Sequence, residues 1–236
     1  MTSDITADQV KAGQAPYNRL LLAVYDPYVR FNYRFLWGCH PHHVLDLYNE
    51  HVSANHLDVG VATGTILDYC TFPASSPRLA LMDLNPNSLA VAARHLARYH
   101  PETYLRNVLD PIEIDAPPFD SVGLANLLHC LPGTMKTKKV VFENLKAMLN
   151  PGGRVFGCTI LCRGVERNPL ARLTLYFMNA RGYLSNRQDD LEGLKSNLTE
   201  CFSGSSVKVV GCVALFWARK QKPPAMGLGV RAPEVS

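Results

Sequence analysis

Residues 56–64 read His-Leu-Asp-Val-Gly-Val-Ala-Thr-Gly, a short apolar strand that runs into a turn of small residues. Leu57 and Val59 alternate as in a strand. Three small residues leave space where a backbone approaches a ligand: Gly60, Ala62 and Gly64. The N–H groups at the start of the helix predicted for residues 65–70 can then face a carboxylate, a ribose or a phosphate. The pattern indicates a binding turn, although a plain bend between a strand and a helix uses the same residue types.

A second apolar strand is predicted for residues 78–83 and ends in Asp83, which follows Gly64 by 83 − 64 = 19 residues. In an open α/β sheet, an acid at the tip of the second strand reaches the nucleoside hydroxyls of a ligand held by the glycine turn. The alternative is that Asp83 caps the helix predicted after Pro86, although Asn85 can do that equally well. Both interpretations can hold at once.

Length and composition limit the class of protein. The chain has 236 residues, of which 47% are hydrophobic, so it can bury the core of one α/β domain with additions, whereas two independent domains are not expected. The 24 Lys and Arg residues and 20 Asp and Glu residues give a formal net charge of +4, and the basic residues are scattered rather than gathered into a stripe. A nucleic-acid partner therefore gains no support.

The cysteines and the N-terminus bear on location. Seven cysteines occur without a Cys-x-x-Cys pair, and several lie in apolar runs, as is typical of reduced core residues in an intracellular protein. Residues 1–11 have no apolar signal region, and no stretch approaches the roughly 18 uninterrupted apolar residues that span a membrane. We expect a cytoplasmic protein with no membrane partner, and the sequence leaves its oligomeric state open.

The N-terminal segment is unusually aromatic. Residues 1–14 are expected to be a loosely docked arm, and residues 16–37 a helical region. Pro27 is predicted to divide this region into two helices, because proline lacks an N–H donor and crowds the preceding turn. Most of its aromatic side chains are expected to pack on the sheet domain and a few to cover the ligand cleft. Residues 1–41 are thus interpreted as an N-terminal arm and helical cap.

Three histidines precede or begin the helix predicted for residues 42–51: His40, His42 and His43. Three imidazoles so close in sequence cannot converge on one ion without a ligand from elsewhere in the chain. We therefore predict no metal site.

Strands and helices alternate through the middle of the chain. Helices are predicted at residues 87–99 and 134–149, and strands at residues 103–106, 121–124 and 154–160. A strand followed by a helix, five times over, favours parallel strands joined by right-handed crossovers.

The C-terminal part breaks this rhythm. Helices are predicted at residues 169–182 and 188–202, and residues 206–220 are almost continuously strand-like except at Gly211. They form either two adjacent antiparallel strands that meet near Gly211 or one long bent strand. Residues 221–236, rich in proline and glycine, are expected to be a disordered tail.

Four patterns together resemble the class I S-adenosylmethionine-dependent methyltransferases. They are the turn at residues 57–64, Asp83 on the second strand, Phe119-Asp120 before the fourth strand, and Leu-Asn-Pro-Gly-Gly at residues 149–153. The turn has the spacing Asp-x-Gly-x-Ala-x-Gly, with Ala62 in place of the usual middle glycine, whereas an NAD enzyme more typically shows Gly-x-Gly-x-x-Gly. The resemblance covers residues 42–220, which we interpret as one methyltransferase domain.

The resemblance implies an α/β fold with a Rossmann-like, seven-stranded, mostly parallel sheet, helices on both faces, an antiparallel last strand and an N-terminal helical cap. It also implies S-adenosyl-L-methionine as cofactor. The methionine part is assigned to Asp58 and to the backbone of the turn: Gly60, Ala62 and Gly64. The ribose hydroxyls are assigned to Asp83 and the adenine to Asn107 and Val108, with Asn126 as a further cofactor residue. The alternative for Asn107 is a plain surface turn before Pro111.

The sequence says less about how the acceptor, the molecule that receives the methyl group, is bound. Transfer of a methyl group from a sulfonium depends mainly on positioning, and a base is needed only when the acceptor must lose a proton. His129 is the candidate base, because imidazole titrates near neutral pH, and its alternative is a histidine bonded within its loop. Three tyrosines are candidates for orienting the acceptor: Tyr17, Tyr25 and Tyr28.

The predicted substrate is a small, partly apolar molecule such as a natural-product intermediate of secondary metabolism. Residues 16–37 and 166–187 can cover the cleft and are aromatic, with little concentrated charge. Residues 126–129 read Asn-Leu-Leu-His rather than the Asn/Asp-Pro-Pro-Tyr/Phe of enzymes that methylate a flipped base. The alternative is a methyltransferase-like protein that uses the cofactor as scaffold for a non-methylating reaction or for binding only.

Overall fold

The computed structural model describes residues 19–223, with side chains from residue 25 onward. The α-helices are α1 (Arg19–Phe35), α2 (His42–His51), α3 (Thr65–Tyr69), α4 (Pro86–His95), α5 (Lys139–Ala147), α6 (Pro169–Ala180) and α7 (Leu191–Cys201). The strands are β1 (Asn55–Val59), β2 (Arg78–Asp83), β3 (Glu102–Leu105), β4 (Phe119–Ala125), β5 (Leu149–Ile160), β6 (Gly204–Val210) and β7 (Val213–Arg219).

The seven strands form one sheet in the order β3-β2-β1-β4-β5-β7-β6. The neighbours among β1 to β5 are parallel, and β7 is antiparallel to both β5 and β6. Strand order reverses between β1 and β4, so the connections leave their carboxyl ends in opposite directions and a crevice opens there. The predicted seven-stranded, mostly parallel sheet with an antiparallel last strand is confirmed.

Helices cover both faces of the sheet, as predicted. On one face α5 and α7 pack through apolar side chains such as Phe142 and Leu198. On the other face α1 to α4 and α6 pack through side chains such as Tyr33, Tyr48 and Leu175. Because both faces of the sheet are covered near its centre, β2 is apolar and buried without interruption from Leu79 to Met82.

The two strands expected around Gly211 are present, and the single bent strand is not. β6 and β7 form a hairpin with Gly211 at its turn, where φ is +59°. A Cβ atom at this glycine would lie 2.0 Å from the carbonyl oxygen of Trp37, so the close approach of the two backbones requires glycine. The hairpin is thereby packed against the end of the cap.

The prediction that Pro27 divides the N-terminal region into two helices is wrong. α1 is one helix of 17 residues with Pro27 inside it. Proline removes one hydrogen bond, but Tyr33 near the end of α1 and Leu36 and Trp37 just after it are buried in the core, and this packing outweighs the local penalty.

Among the predicted boundaries that change, two shift by several residues. The helix predicted from residue 134 begins at Lys139, because Thr134 and Thr137 close a turn in which the Thr134 N–H donates to the Thr137 hydroxyl at 2.9 Å. The fifth strand begins at Leu149 rather than at residue 154, and the register against β4 shifts across Pro151 and the glycines after it.

The regular alternation of strands and helices fails between β3 and β4. Residues 106–118 connect these strands without a helix. The segment contains Pro111, Pro117 and Pro118, each of which lacks the N–H that a helix interior needs. Within residues 19–223, no helix has both the length and the apolar character required to cross a membrane.

Candidate functional site

Two neighbouring clefts occupy the crevice at the carboxyl ends of β1 and β4. The inner cleft is bordered by the ends of the first four strands, including Val59, Asp83, Asn107, Val108 and Leu131. The cap cleft has a volume of about 580 Å³ and lies between α1, α2 and the glycine turn, bordered by residues including Asp26, Arg30, Arg34, His40 and Thr65. Five residues border both clefts: Tyr25, Gly60, Ala62, Ala125 and Asn126. The shared border is where a ligand in one cleft can touch a ligand in the other.

The glycine turn needs its small residues. Gly60 and Gly64 have φ values of +74° and +75°, in the left-handed region that favours glycine. A Cβ atom at Gly60 would lie 2.8 Å from the Leu127 side chain. Ala62 also has a positive φ, +47°, so the residue that replaces the family's middle glycine adopts the glycine-like conformation. The backbone of the turn is thus exposed to both clefts.

Of the two candidates for capping the helix after β2, the structure favours Asn85 over Asp83. The Asn85 side chain caps α4 by accepting a hydrogen bond from the Asn87 N–H at 2.9 Å. Asp83 borders the inner cleft, and its Oδ1 accepts from the Asn85 N–H at 2.8 Å. Burial raises the pKa of Asp83 to about 6, and hydrogen bonds from the backbone of Asn85 and Ala62 oppose that rise. The carboxylate remains available to the cleft.

We expect the binding of S-adenosylhomocysteine to weaken as the pH falls through about 6. The Asp83 carboxyl takes up a proton in this range and loses acceptor capacity for ligand hydroxyls. Calorimetry at pH 8 and pH 5 should show a loss of roughly tenfold, the order of a charged hydrogen bond. Asp83→Asn should bind more weakly at pH 8 and show little of this pH dependence. An unchanged pH profile in the variant would exclude Asp83 as the titrating group.

Asn107 and Val108 border the inner cleft, as the adenine assignment requires. The Asn107 amide, however, is already used within its own turn. Its Nδ2 donates to Asp110 at 2.9 Å, and its Oδ1 accepts from the Leu109 N–H at 3.2 Å. The surface turn expected as the alternative is therefore present, and it limits the hydrogen bonds that this side chain has left for a base.

Asp58 lies beneath the glycine turn and is 6% exposed. It borders the cap cleft rather than the inner cleft. The Tyr48 hydroxyl donates to Asp58 Oδ1 at 2.7 Å, and burial holds the pKa of Tyr48 above its ordinary value, so that the phenol remains a donor. This hydrogen bond fixes the carboxylate at the base of the turn.

A contact that the sequence does not predict fastens the cap to the glycine turn. Asp26 on α1 accepts hydrogen bonds from the hydroxyls of Thr63 at 2.7 Å and Thr65 at 2.6 Å. The two threonines flank Gly64, so one carboxylate joins the helix to the turn. No short motif signals this contact, because Asp26 is far from the threonines in sequence.

A second missed contact holds the end of β4. The Tyr33 hydroxyl donates to Asn126 Oδ1 at 2.5 Å and lies 3.3 Å from the Cys158 sulfur. Burial raises the pKa of Tyr33, so the phenol stays protonated. Asn126 has a φ of +62°, a strained conformation for a non-glycine residue that is common at functional sites. The side chain of Asn126 is thus fixed at the shared border of the two clefts.

The three candidate tyrosines have different positions. Tyr25 borders both clefts. Tyr28 is 45% exposed and lies outside the residues that border them. Tyr17 lies outside the described residues. Tyr25 is therefore the candidate that the structure places beside the site.

The prediction that His129 faces the mouth of the sheet is wrong. His129 is 4% exposed and does not border either cleft. Its Nδ1 accepts a hydrogen bond from the Ile160 N–H at 3.2 Å, and burial lowers its pKa to about 3. The short helical turn at Leu128–Cys130 directs this side chain into the protein, where it supports β5. The structure therefore favours the alternative of a histidine bonded within the fold.

The histidines before and at the start of α2 come closer together than the sequence suggests. The Nδ1 atoms of His40 and His42 are 2.7 Å apart. Asp46, one turn further along α2, brings a carboxylate near His42 and His43, and the ligand atoms of these three lie within 4.8 Å of one another. His42 and Asp46 are exposed to solvent, and we assign no ion to the group.

Comparisons with known proteins agree with this architecture. A family profile described as "Methyltransferase domain" matches residues 57–155. The chain is 38% identical over 218 residues to the demethylluteothin O-methyltransferase of Streptomyces thioluteus, a match that covers 92% of this chain and 95% of the relative. The chain belongs to the class I S-adenosylmethionine-dependent methyltransferases. The predicted family and enzyme class are confirmed.

Other relatives of this methyltransferase extend the comparison. It is 38% identical over 213 residues to the physcion biosynthesis cluster O-methyltransferase of Aspergillus chevalieri, covering 89% of this chain and 96% of the relative. Among solved structures, a complex of DhpI with SAH matches with a TM-score of 0.67 and 16% identity, covering 93% of this chain and all (100%) of the other. The structural match supports the fold.

Proposed function

We propose that this methyltransferase transfers a methyl group from S-adenosylmethionine to an oxygen atom of a small, partly apolar molecule of secondary metabolism. The observation that carries the proposal is the pair of clefts that meet at Tyr25, Gly60 and Asn126. A methyl transfer needs two ligands in contact, and the larger cleft lies within the range of about 300–1,000 Å³ that small molecules occupy. The relatives named O-methyltransferases support the choice of oxygen.

The inner cleft is the proposed site of the nucleoside part of the cofactor. Asp83 offers a carboxylate acceptor for hydroxyl groups, and Val59, Val108 and Leu131 offer apolar walls for a planar ring system. We keep Asn107 as an adenine contact, although its side chain already makes two hydrogen bonds within its own turn and has fewer left for a base. The backbone of the glycine turn and Asp58 would hold the amino-acid part, because they lie towards the cap cleft.

The bound cofactor supplies a methyl group already activated by a positively charged sulfur. The protein therefore has to position the acceptor and exclude water. Asn126, fixed by Tyr33, and Tyr25 present polar groups at the shared border. The contact of Asp26 with the glycine turn holds the cap over the cleft.

We retain the domain division as part of this proposal, with residues 1–41 as arm and cap, residues 42–220 as the methyltransferase domain and residues 221–236 as a tail; residues 1–18 and 224–236 lie outside the described residues. A cytoplasmic location is also proposed. It is supported by the seven cysteines, none of which forms a disulfide in the part of the chain that the structure describes.

Incubation with methyl-deuterated S-adenosylmethionine should test the proposed reaction. A panel of naphthols, hydroxypyrones, aromatic amines and aromatic thiols would be scanned by mass spectrometry for products that gain a labelled methyl group. We expect labelled ethers from the hydroxyl compounds. Labelled amines or thioethers alone would contradict the choice of oxygen, and cofactor binding without any turnover would favour the binding-only alternative.

A further inference from the structure

Charged side chains of both signs border the cap cleft. Arg30 and Arg34 on α1 border the cleft, and both side chains are exposed at its rim. Two carboxylates also border it, but each is already used as an acceptor within the protein. Asp26 accepts from two threonine hydroxyls, and Asp58 accepts from the Tyr48 hydroxyl. Neither carboxylate forms an ion pair with these arginines in the part of the chain that the structure describes.

The two arginines share one side of α1, because residues four apart lie above one another on a helix. Within residues 19–223, no ion pair to a carboxylate involves Arg30 or Arg34. The Arg34 guanidinium lies 5.7 Å from the centre of the exposed Phe35 ring, a contact that leaves its N–H donors available. Guanidinium groups bind carboxylates and ionised phenols through paired, charge-assisted hydrogen bonds.

The wall below the arginines is apolar and aromatic. Val29, Tyr33, Val44 and Ile66 are among the residues that border the cleft. A cleft with this wall and a cationic rim suits a molecule with an aromatic or otherwise apolar body and an acidic oxygen group at one end.

We propose that the acceptor carries an ionised oxygen group, a carboxylate or an acidic phenol or enol, and that Arg30 and Arg34 bind it at the rim of the cap cleft. This inference rests on the proposed function, because it assigns the cap cleft to the acceptor. The cofactor's own amino-acid carboxylate has the same chemistry, so the experiment must separate the two sources of negative charge.

The test compares 2-naphthoate with neutral 2-naphthamide, each titrated into the full chain saturated with S-adenosylhomocysteine. We expect the naphthoate to bind more tightly than the amide. The double variant Arg30→Gln/Arg34→Gln should weaken naphthoate binding about tenfold, leave the amide unchanged and abolish most of the salt dependence. Arg172→Gln on α6 is the matched control, because its side chain is exposed but does not border the cleft. It should bind both probes as the native chain does.

Three results would overturn the inference. Equal binding of the two probes, or no binding of naphthoate to the native chain, would show that the rim does not select an anion. A double variant that loses affinity for S-adenosylhomocysteine but not for naphthoate would assign the arginines to the cofactor's carboxylate. The binding of S-adenosylhomocysteine alone is measured separately by calorimetry. Its failure to bind to the native chain would instead contradict the proposed function.

Discussion

Lys138→Met is expected to destabilise the protein by about 3–5 kcal/mol, the usual effect of removing one partner from a buried ion pair. Lys138 and Asp189 are both fully buried (0% exposed), with Nζ and Oδ2 2.6 Å apart, and Nζ also donates to the Ser185 carbonyl at 2.9 Å. The variant would leave the Asp189 carboxylate in the interior without its cation. A thermal melt should show a loss of roughly 6–20 °C for a chain of this size.

The double variant Lys138→Met/Asp189→Leu is the control for this prediction. Replacing both charges with apolar groups of similar volume is often neutral or stabilising, so the double variant should recover most of the lost stability. Recovery is not expected to be complete, because the Ser185 carbonyl still loses its donor. Single and double variants of equal stability would show that the destabilisation comes from packing rather than from the unpaired charge.

The parts of the site that lie close together in sequence were predictable. The glycine turn directly follows one strand, and Asp83 ends the next. The carboxyl ends of parallel strands lie at one edge of the sheet. The local pattern therefore fixed the position of Asp83 beside Gly60 without knowledge of the other contacts. The hairpin at Gly211 was also predictable, because a glycine inside a strand-like run marks a close approach of backbones or a turn.

The contacts that distinguish this site from others were not predictable from one sequence. Tyr33 meets Asn126 across 93 residues, and Asp26 meets Thr63 across 37. Such pairs depend on how α1 lies over the sheet, which neither periodicity nor spacing specifies. His129 shows the opposite error, since a residue placed correctly after β4 was given the wrong orientation. Its direction is set by one short helical turn, a scale at which the sequence pattern carries little information.

Gly60→Arg is expected to abolish the binding of S-adenosylhomocysteine, with at least a hundredfold loss of affinity. Gly60 borders both clefts, so a long side chain there would enter the space proposed for the cofactor. At a ligand concentration 100 times its Kd, the native chain should gain about 2.7 kcal/mol of stability from binding. The variant should show no such gain in a thermal melt, and calorimetry should detect no heat of binding.

Gly60→Ala separates blocked binding from backbone strain. Both variants carry the penalty of φ +74° and the contact of Cβ with Leu127, and both should be less stable than the native chain by roughly 1 kcal/mol or more. Only the arginine extends beyond that contact, so the alanine variant should retain measurable affinity while the arginine variant has none. If the two variants bind equally well, the inner and cap clefts do not hold the cofactor at this turn. If neither binds, the conformation of the turn, rather than the space beside it, is what binding requires.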